Sequence, residues 1–269
     1  MIKIGCNYLS LPDMDIETFI RTVYDLRLDI VDFHIRAFKS RDPGYLRAIK
    51  MQCLKLGLPI GYIGVSAGFV GDEEELGKRI AEAEDAIDVA AFVGAPLIRV
   101  FGGHVPAGTE DWEPLYEDLV RCLKTVCDYG AGKGVIVALQ NHDGGNLAAT
   151  ADDVLRILHD SAHPSFSLIM DTGQWKGGVG AHPVGESDPN VDIYDYMERT
   201  IGHAAYVRAK IYRIESGREE LLDYERVTGI LERAGYNGCM SIVYEGLEED
   251  RVGAVRKAAA HLREMLGSL

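Results

Sequence analysis

The feature that most constrains this chain is a regular alternation of short β-branched runs and longer segments with helical periodicity. The runs lie at positions 2–7, 30–35, 60–65, 97–102, 135–142, 166–172, 206–212 and 240–245. A helix-period segment follows each run, and strands joined by helical crossovers lie parallel to one another. The sequence therefore predicts an α/β protein built on one parallel sheet.

The length decides between two ways of arranging such a sheet. Strand–helix units spread evenly over 269 residues favour one closed (β/α)8 TIM barrel, with residues 1–269 as a single domain. The alternative is a doubly wound open sheet, whose nucleotide-binding form needs a glycine-rich phosphate motif after its first strand. That motif is absent here, so we expect the barrel.

Local signals place several helix ends. Asp42 and Pro43 are typical of an N-cap followed by the first helical residue, and Gly57 is typical of a helix end. Thr150 with Asp153 resembles a capping box. The one long connection, residues 173–190, contains Pro183; we expect it near the active-site face as a lid, substrate wall or partner contact, or else as a tolerated surface loop.

Composition excludes several classes of protein. The formal net charge is −14, which would repel a polyanion such as DNA. No apolar run approaches the roughly 20 residues that span a bilayer. The five cysteines are scattered without a CxxC pair, and the amino terminus shows no signal-peptide pattern. We therefore expect a cytoplasmic protein that binds neither nucleic acid nor membranes.

Strand alternation predicts which side chains point into the barrel, because successive residues face the helices and the interior in turn. The polar residues predicted to point inward are Asp32, His34, Arg99, Gln140, His142, Asp171, Arg208, Lys210 and Glu245. Isolated buried ions are too costly to persist, so these groups should be paired, solvated or bound to a ligand. Several lie late in their strands, where barrel enzymes place their chemistry.

Position along the strand separates structural from functional candidates. Arg99 and Asp32 lie in mid-strand and favour a structural ion pair in the barrel floor. His34 is equally compatible with a hydrogen-bonded core histidine and with a substrate contact. We expect one of Lys210 and Arg208 to neutralise a late-strand carboxylate, and the other to meet an anionic or hydroxyl-rich ligand.

Residues next to glycines at strand ends are the stronger functional candidates. Asp171, Glu245 and His142 each lie within two residues of a glycine, which leaves room for a ligand to approach. His104 follows Gly102 and Gly103 in the same way, although a structural role is equally compatible with its position.

Three motifs resemble those of the xylose-isomerase-like barrel superfamily, of the sugar phosphate isomerase/epimerase type. Residues 137–142 (VALQNH) resemble its fifth-strand motif, in which a glutamate normally precedes Asn-His; residues 169–173 (IMDTG) resemble its sixth-strand motif, and residues 235–238 (GYNG) its eighth-strand entry. The resemblance covers nearly the whole chain. It implies a relative of sugar isomerases, ketose 3-epimerases, inosose dehydratases and endonuclease-IV-type repair enzymes.

The resemblance also implies a divalent metal, since sugar-acting members usually hold Mn²⁺, Mg²⁺ or Co²⁺ with Glu, Asp, His and Glu from strands five to eight. Carried over to this chain, Gln140 stands for the first glutamate, Asp171 is retained, and Arg208 stands for the histidine. Val243 takes the last glutamate's place, with Glu245 two residues further on. We expect a degraded metal site in which Asp171 and Gln140 are the remaining ligands and Arg208 pairs with Asp171.

These residues favour an enzyme that acts on a sugar or polyol by proton transfer beside a carbonyl, in isomerisation, epimerisation or dehydration. Glu245 or His142 is the expected base, with Lys210 or Arg208 stabilising the enolate oxygen in place of a metal. The side chains expected to bind the substrate are His34, His104, Arg208, Trp175 and Tyr212.

Two other functions compete with this interpretation. A barrel that has lost catalysis and binds a carbohydrate or a partner would also explain the damaged metal set. Endonuclease-like repair is disfavoured because it needs a three-zinc cluster and a basic DNA-binding face, whereas the net charge is −14. The resemblance further implies a homo-oligomer, since superfamily members often form dimers or tetramers.

Overall fold

The computed structural model describes residues 1–180 and 187–267. Within them, eight parallel strands close into a barrel in sequence order, each strand pairing with its neighbours along the chain and the last with the first. The strands are β1 Lys3–Asn7, β2 Ile30–His34, β3 Ile60–Gly68, β4 Leu97–Phe101, β5 Ile136–Gln140, β6 Phe166–Asp171, β7 Ala204–Ile211 and β8 Cys239–Tyr244. This confirms the predicted (β/α)8 TIM barrel and rejects the open sheet.

Helices surround the strands and begin and end where the local signals place them. They are α1 Ile16–Asp25, α2 Pro43–Leu56, α3 Glu73–Val93, α4 Glu113–Lys133, α5 Ala151–Ser161, α6 Ile193–Thr200, α7 Tyr224–Arg233 and α8 Arg251–Gly267. Asp42 accepts hydrogen bonds from the first turn of α2, and Gly57 ends that helix at φ +67°. Thr150 and Asp153 form the predicted capping box of α5.

Two apolar layers hold the barrel together. The larger one lies between strands and helices and takes the outward residues of each strand, such as Val207, Ala209 and Ile242. The smaller one fills the barrel floor with Tyr62, Leu97, Ala138, Ile169 and Tyr206. The alternation expected from the sequence is therefore observed: Asp32 lies in this floor, and the polar residues later in the strands lie above it.

Strand register sets the depth of each inward side chain. His34 on β2 pairs with Gly64 on β3, and Gly64 pairs with Arg99 on β4, so Arg99 lies level with His34. On the opposite side of the barrel, Asp171 on β6 pairs with Arg208 on β7. Both levels lie above the floor, toward the carboxyl ends of the strands.

The described part of the long connection packs against the carboxyl end of the barrel. The Lys176 backbone N–H donates to the Ala149 carbonyl, and the Gly180 N–H donates to the Gly173 carbonyl. Pro183 lies outside the described residues. The predicted role of the connection as a lid, substrate wall or partner contact therefore stays a prediction.

Candidate active site

A cavity of about 520 Å³ opens at the carboxyl ends of the strands, within the usual size range for small-molecule sites. Its polar lining consists of His34, Arg36, Ser66, Arg99, Gln140, His142, Gln174, Arg208 and Glu245. Two larger depressions lie on the outside of the barrel, one along α4 and α5 and one at the amino ends of the strands. We place the candidate site in the smaller cavity, because barrel chemistry is built at this end and charged side chains converge there.

Asp171 is fully buried behind the cavity and both of its carboxylate oxygens are used. Oδ1 accepts from the backbone N–H groups of Gly173 and Gln174. Oδ2 accepts from Arg208 Nε at 2.9 Å and from Gln140 Nε2 at 3.3 Å, and Lys210 Nζ lies 3.7 Å away. Burial would raise the pKa of Asp171, but Lys210, Arg208 and these hydrogen bonds outweigh it and lower the pKa below its usual value.

Glu245 is the carboxylate that faces the cavity. Its Oε1 forms an ion pair with Lys210 Nζ at 2.9 Å, and its side chain is 20% exposed whereas that of Lys210 is fully buried. Within residues 1–180 and 187–267, Glu245 Oε2 has no hydrogen-bond partner. A buried carboxylate oxygen without a protein donor is available to a ligand.

Lys210 holds Glu245 from behind. Its ammonium lies between Glu245 and Asp171, and Lys210 is not part of the described lining of the cavity. The structure therefore does not support the predicted direct role of Lys210 at an enolate oxygen. Lys210 positions the carboxylate instead.

Arg208 is the cation of the same wall that lines the cavity. It is 2% exposed, lines the cavity, and donates from Nη1 to the Tyr62 hydroxyl at 2.7 Å as well as from Nε to Asp171. Burial would lower its pKa, but Tyr62 and Asp171 outweigh that effect and raise it. The guanidinium is therefore firmly charged, and it links the barrel floor to the cavity.

The residues around Asp171 do not fit the metal that the family implies. A divalent cation at Asp171 Oδ2 would compete with Arg208 Nε and lie close to Lys210 Nζ. Gln140 turns its Nε2 donor, not its oxygen, toward Asp171. Hard cations need several anionic oxygen ligands, and the described residues contain no group of three His, Cys, Asp or Glu able to hold a metal.

Two histidines, His34 and His142, line the cavity. His34 Nδ1 accepts from the Arg36 N–H, so its proton is on Nε2, 3.2 Å from Ser66 Oγ. Burial and then Arg99 lower its pKa to about 3, which keeps it neutral. His142 lines the cavity and its ring packs edge-on against Phe101.

His104 packs edge-on against His142 at 5.1 Å between ring centroids, and Nδ1 lies 3.2 Å from the Gly144 carbonyl oxygen. It is exposed and stands outside the described lining of the cavity. Its predicted contact with substrate therefore stays a prediction; its observed contact is with His142.

The two aromatic residues expected to stack on a sugar do not face the cavity. Trp175 is fully buried in the layer between strands and helices and packs against Tyr196. Tyr212 is 2% exposed in the same layer and donates its hydroxyl to the Gly180 carbonyl. Neither residue belongs to the described lining of the cavity, so the structure does not support their predicted contact with substrate.

The expected ion pair between Arg99 and Asp32 does not form. Arg99 lies level with His34, one inward position above Asp32, and donates from Nη1 to the Val65 carbonyl. Asp32 instead accepts from the Tyr206 hydroxyl at 2.8 Å in the floor. Burial raises the pKa of Asp32 to about 7, against the nearby Ser241 hydroxyl, the hydrogen bond from Tyr206 and the charge of Arg208.

Several site residues were not singled out from the sequence. Arg36 and Gln174 follow strand ends, and Ser66 lies on β3 beyond its predicted end at position 65. Asn141, part of the VALQNH motif, joins β5 to the end of β6: its Nδ2 donates to the Asp171 and Gln174 carbonyls, and its Oδ1 accepts from the Asp171 N–H. The motif itself was the signal that could have identified Asn141.

The closed sheet and the charged cavity at the carboxyl ends of the strands place this chain in the class of (β/α)8 barrel proteins. The sequence profile of the family described as xylose isomerase-like TIM barrel matches residues 13–265, and the chain belongs to that family. A search of curated protein sequences finds no match.

Solved structures with the same fold include sugar epimerases. An L-ribulose 3-epimerase is 16% identical with a TM-score of 0.80, over 100% of this chain and 95% of that one. The 3-keto-D-glucoside 4-epimerase of E. coli is 17% identical with a TM-score of 0.79, over 98% and 100%. A D-psicose 3-epimerase from Clostridium cellulolyticum H10, solved with D-tagatose, is 14% identical with a TM-score of 0.82, over 98% and 99%. At these identities the likeness establishes the fold.

In the described residues, no helix combines the length and apolarity needed to cross a membrane. The expected cytoplasmic location, the homo-oligomer and the exclusion of nucleic acid stay predictions.

Proposed function

We propose that this protein is a sugar or polyol isomerase or epimerase that works by proton transfer beside a carbonyl. The observation that carries the proposal is Glu245, which lines the cavity: its Oε1 pairs with Lys210, and its Oε2 has no hydrogen-bond donor among the residues that the structure describes. Membership of the xylose isomerase-like family and the sugar epimerases among the structural neighbours support it.

In the proposed reaction, Glu245 removes the proton from the carbon next to the substrate carbonyl. The C–H electron pair moves toward the carbonyl, whose oxygen becomes an enolate oxygen stabilised by the Arg208 guanidinium. Arg208 and Glu245 both line the cavity and interact electrostatically, so the base and the cation can reach the same bound substrate. Isomerisation follows when the proton returns to the former carbonyl carbon while the proton of the adjacent hydroxyl passes to the enolate oxygen, so that the carbonyl forms on the next carbon. Epimerisation follows when a proton returns to the original carbon from the opposite face, with His142 as the second proton carrier.

We further propose that the reaction needs no resident divalent metal, because Arg208 and Lys210 supply the positive charge at Asp171. Dialysis against EDTA should leave the rate within about twofold, the change expected when no transition-state contact is removed. Elemental analysis checks the same point. One Mn²⁺ per chain, with activity lost on its removal, would contradict this part alone.

Deuterium exchange tests the proton transfer before the substrate is known. The protein is incubated in D₂O with a panel of aldoses, ketoses and their C6 acids and phosphates, and C–H exchange beside the carbonyl is followed by NMR. We expect one substrate to exchange, and Glu245→Gln to slow exchange by about 10²–10⁴-fold, the usual contribution of a general base.

Glu249→Gln is the matched control, since Glu249 is exposed and only four residues away. It should exchange at the wild-type rate. Exchange that persists in Glu245→Gln would sink the assignment of the base.

A binding barrel without catalysis is the second candidate. It is favoured by Asp171, whose charge is balanced by Arg208 and Lys210, so that it is not free to act on a substrate. This candidate predicts a sugar that binds to the protein but shows no C–H exchange in D₂O. Glu245→Gln should then leave the affinity for that sugar within about twofold, since removing the base affects no transition state.

A further inference from the structure

Arg99 is a buried cation without an acidic partner. It is 2% exposed on β4 and lines the cavity. Its Nη1 donates to the Val65 carbonyl at 2.9 Å, its Nε has no hydrogen-bond partner, and it forms no ion pair in the part of the chain that the structure describes. Charged residues are almost never fully buried unless they are paired.

The cavity acids are already committed to other cations. Arg208 forms an ion pair with Asp171, and Lys210 forms an ion pair with Glu245. The described lining thus contains three arginines, Arg36, Arg99 and Arg208, and one carboxylate, Glu245. A locally positive cavity in a chain of net charge −14 is the reverse of what its overall composition would produce.

The surroundings hold Arg99 in place for a ligand. Its guanidinium carbon lies 4.1 Å from the centroid of the Phe101 ring, a cation–π contact that orients it. A Cβ on Gly64, its register partner on β3, would lie only 2.8 Å from Arg99 Nη2, so glycine makes the space that the guanidinium occupies.

Neutral donors flank the guanidinium. Because His34 carries its proton on Nε2 and directs it at Ser66 Oγ, the Ser66 hydroxyl is free to donate into the cavity. Burial and then Arg208 lower the pKa of Arg99 to about 9, and burial and then Arg99 lower that of His34. Burial is the main cause of both pKa shifts and the neighbouring arginine charge adds to it; a bound anion would oppose both shifts.

We propose that Arg99, with Ser66 and Arg36, binds an anionic group of the substrate, a carboxylate or a phosphate. The substrate class is then a sugar acid or a sugar phosphate rather than a neutral sugar. The inference deepens the proposed function by naming its substrate class, but anion binding at Arg99 is measurable without turnover. A planar guanidinium with free N–H groups suits both anions, because their paired oxygens match its fork.

The test is calorimetric titration with three ketoses that differ only at C6: D-fructose, D-fructuronate and D-fructose 6-phosphate. We expect one or both anions to bind at least about tenfold more tightly than D-fructose, as one charge-assisted hydrogen bond provides. Tighter binding of D-fructose 6-phosphate identifies a phosphate, and tighter binding of D-fructuronate a carboxylate.

Arg99→Met should abolish the preference for the anionic ketoses, so that all three bind about equally. Arg79→Gln, which removes an exposed arginine charge, should keep the preference. Ser66→Ala, a smaller change, should weaken anion binding a few-fold and keeps the test valid if Arg99→Met does not fold. Equal affinity for all three ketoses, or a preference that survives in Arg99→Met, overturns the inference.

The outcomes separate this inference from the proposed function. Arg99-dependent anion binding without deuterium exchange supports the anion site and contradicts catalysis. Glu245-dependent exchange of neutral sugars, with no anion preference, supports catalysis and contradicts the anion site.

Discussion

The two walls of the cavity treat buried charge in opposite ways. On the paired side, formed by Asp171, Arg208, Lys210 and Glu245, every charged group has a partner of opposite sign. On the open side, formed by His34, Ser66 and Arg99, the histidine is neutral, and Arg99 pairs with no carboxylate in the part of the chain that the structure describes. Removing one member of a buried pair leaves a bare charge, whereas removing an unpaired charge relieves a cost. The paired side is thus internally complete, and the open side is completed by a ligand.

Matched arginine substitutions should give the largest difference between the two sides. Arg208→Met leaves Asp171 buried without its nearest cation and should lower the free energy of unfolding by about 3–5 kcal/mol. Arg99→Met should leave it within about 1 kcal/mol of the wild type, or raise it, because a buried unpaired charge is lost. Urea denaturation without ligand measures both. Equal losses in the two variants would remove the distinction between the walls.

The floor beneath the walls supplies a smaller, pH-dependent effect. Burial raises the pKa of Asp32 to about 7, above the unfolded value near 3.8, so the folded state binds the extra proton. The resulting stabilisation is complete below the unfolded pKa and is lost as pH rises through about 7.

The free energy of unfolding of the wild type minus that of Asp32→Asn should therefore fall from pH 4.5 to pH 7.5. The slope should approach about 1.4 kcal/mol per pH unit at most, the value for one proton. Denaturation curves across this range check it. A difference that is flat or rises with pH would show that Asp32 is ionised in the floor.

Gly64→Ala should produce the smallest effect, a lower preference for anionic sugars, because it disturbs the open side alone. Its Cβ must displace Arg99 Nη2, so the anion preference should drop by about 3–10-fold, or roughly 1 kcal/mol. Gly132→Ala on α4, with nothing within 4 Å of the added Cβ, is the control and should keep the preference. Deuterium exchange of a neutral sugar by Gly64→Ala should stay within about twofold, since Glu245 is on the other wall. Loss of that exchange would couple the two sides.

Much of this protein could be predicted from local pattern. Strand alternation turned Gln140, Asp171, Arg208 and Glu245 toward one cavity, because a strand residue has only two directions and the outer one is apolar. The capping signals at Asp42 and Thr150 were also sufficient, since a helix end is decided by a few neighbouring residues. The pairing of Arg208 with Asp171 agreed as well, because adjacent strands bring the two residues level.

What failed depended on position in three dimensions. Trp175 and Tyr212 lie beyond the ends of their strands, where the alternation no longer applies, and both are buried in the larger apolar cluster. Arg99 and Asp32 point inward as expected, but barrel register sets them at different depths.

By itself, then, the sequence determined the barrel, the helix ends and the set of inward polar residues, because these follow from periodicity and neighbouring contacts. Only the tertiary structure decided which charges are paired and which one is left without a partner. Ion pairing depends on distances of a few ångströms between side chains from different strands, and closure of the barrel sets those distances. Among residues 1–180 and 187–267, Arg99 forms no ion pair with a carboxylate, while Arg208 forms one at 2.9 Å.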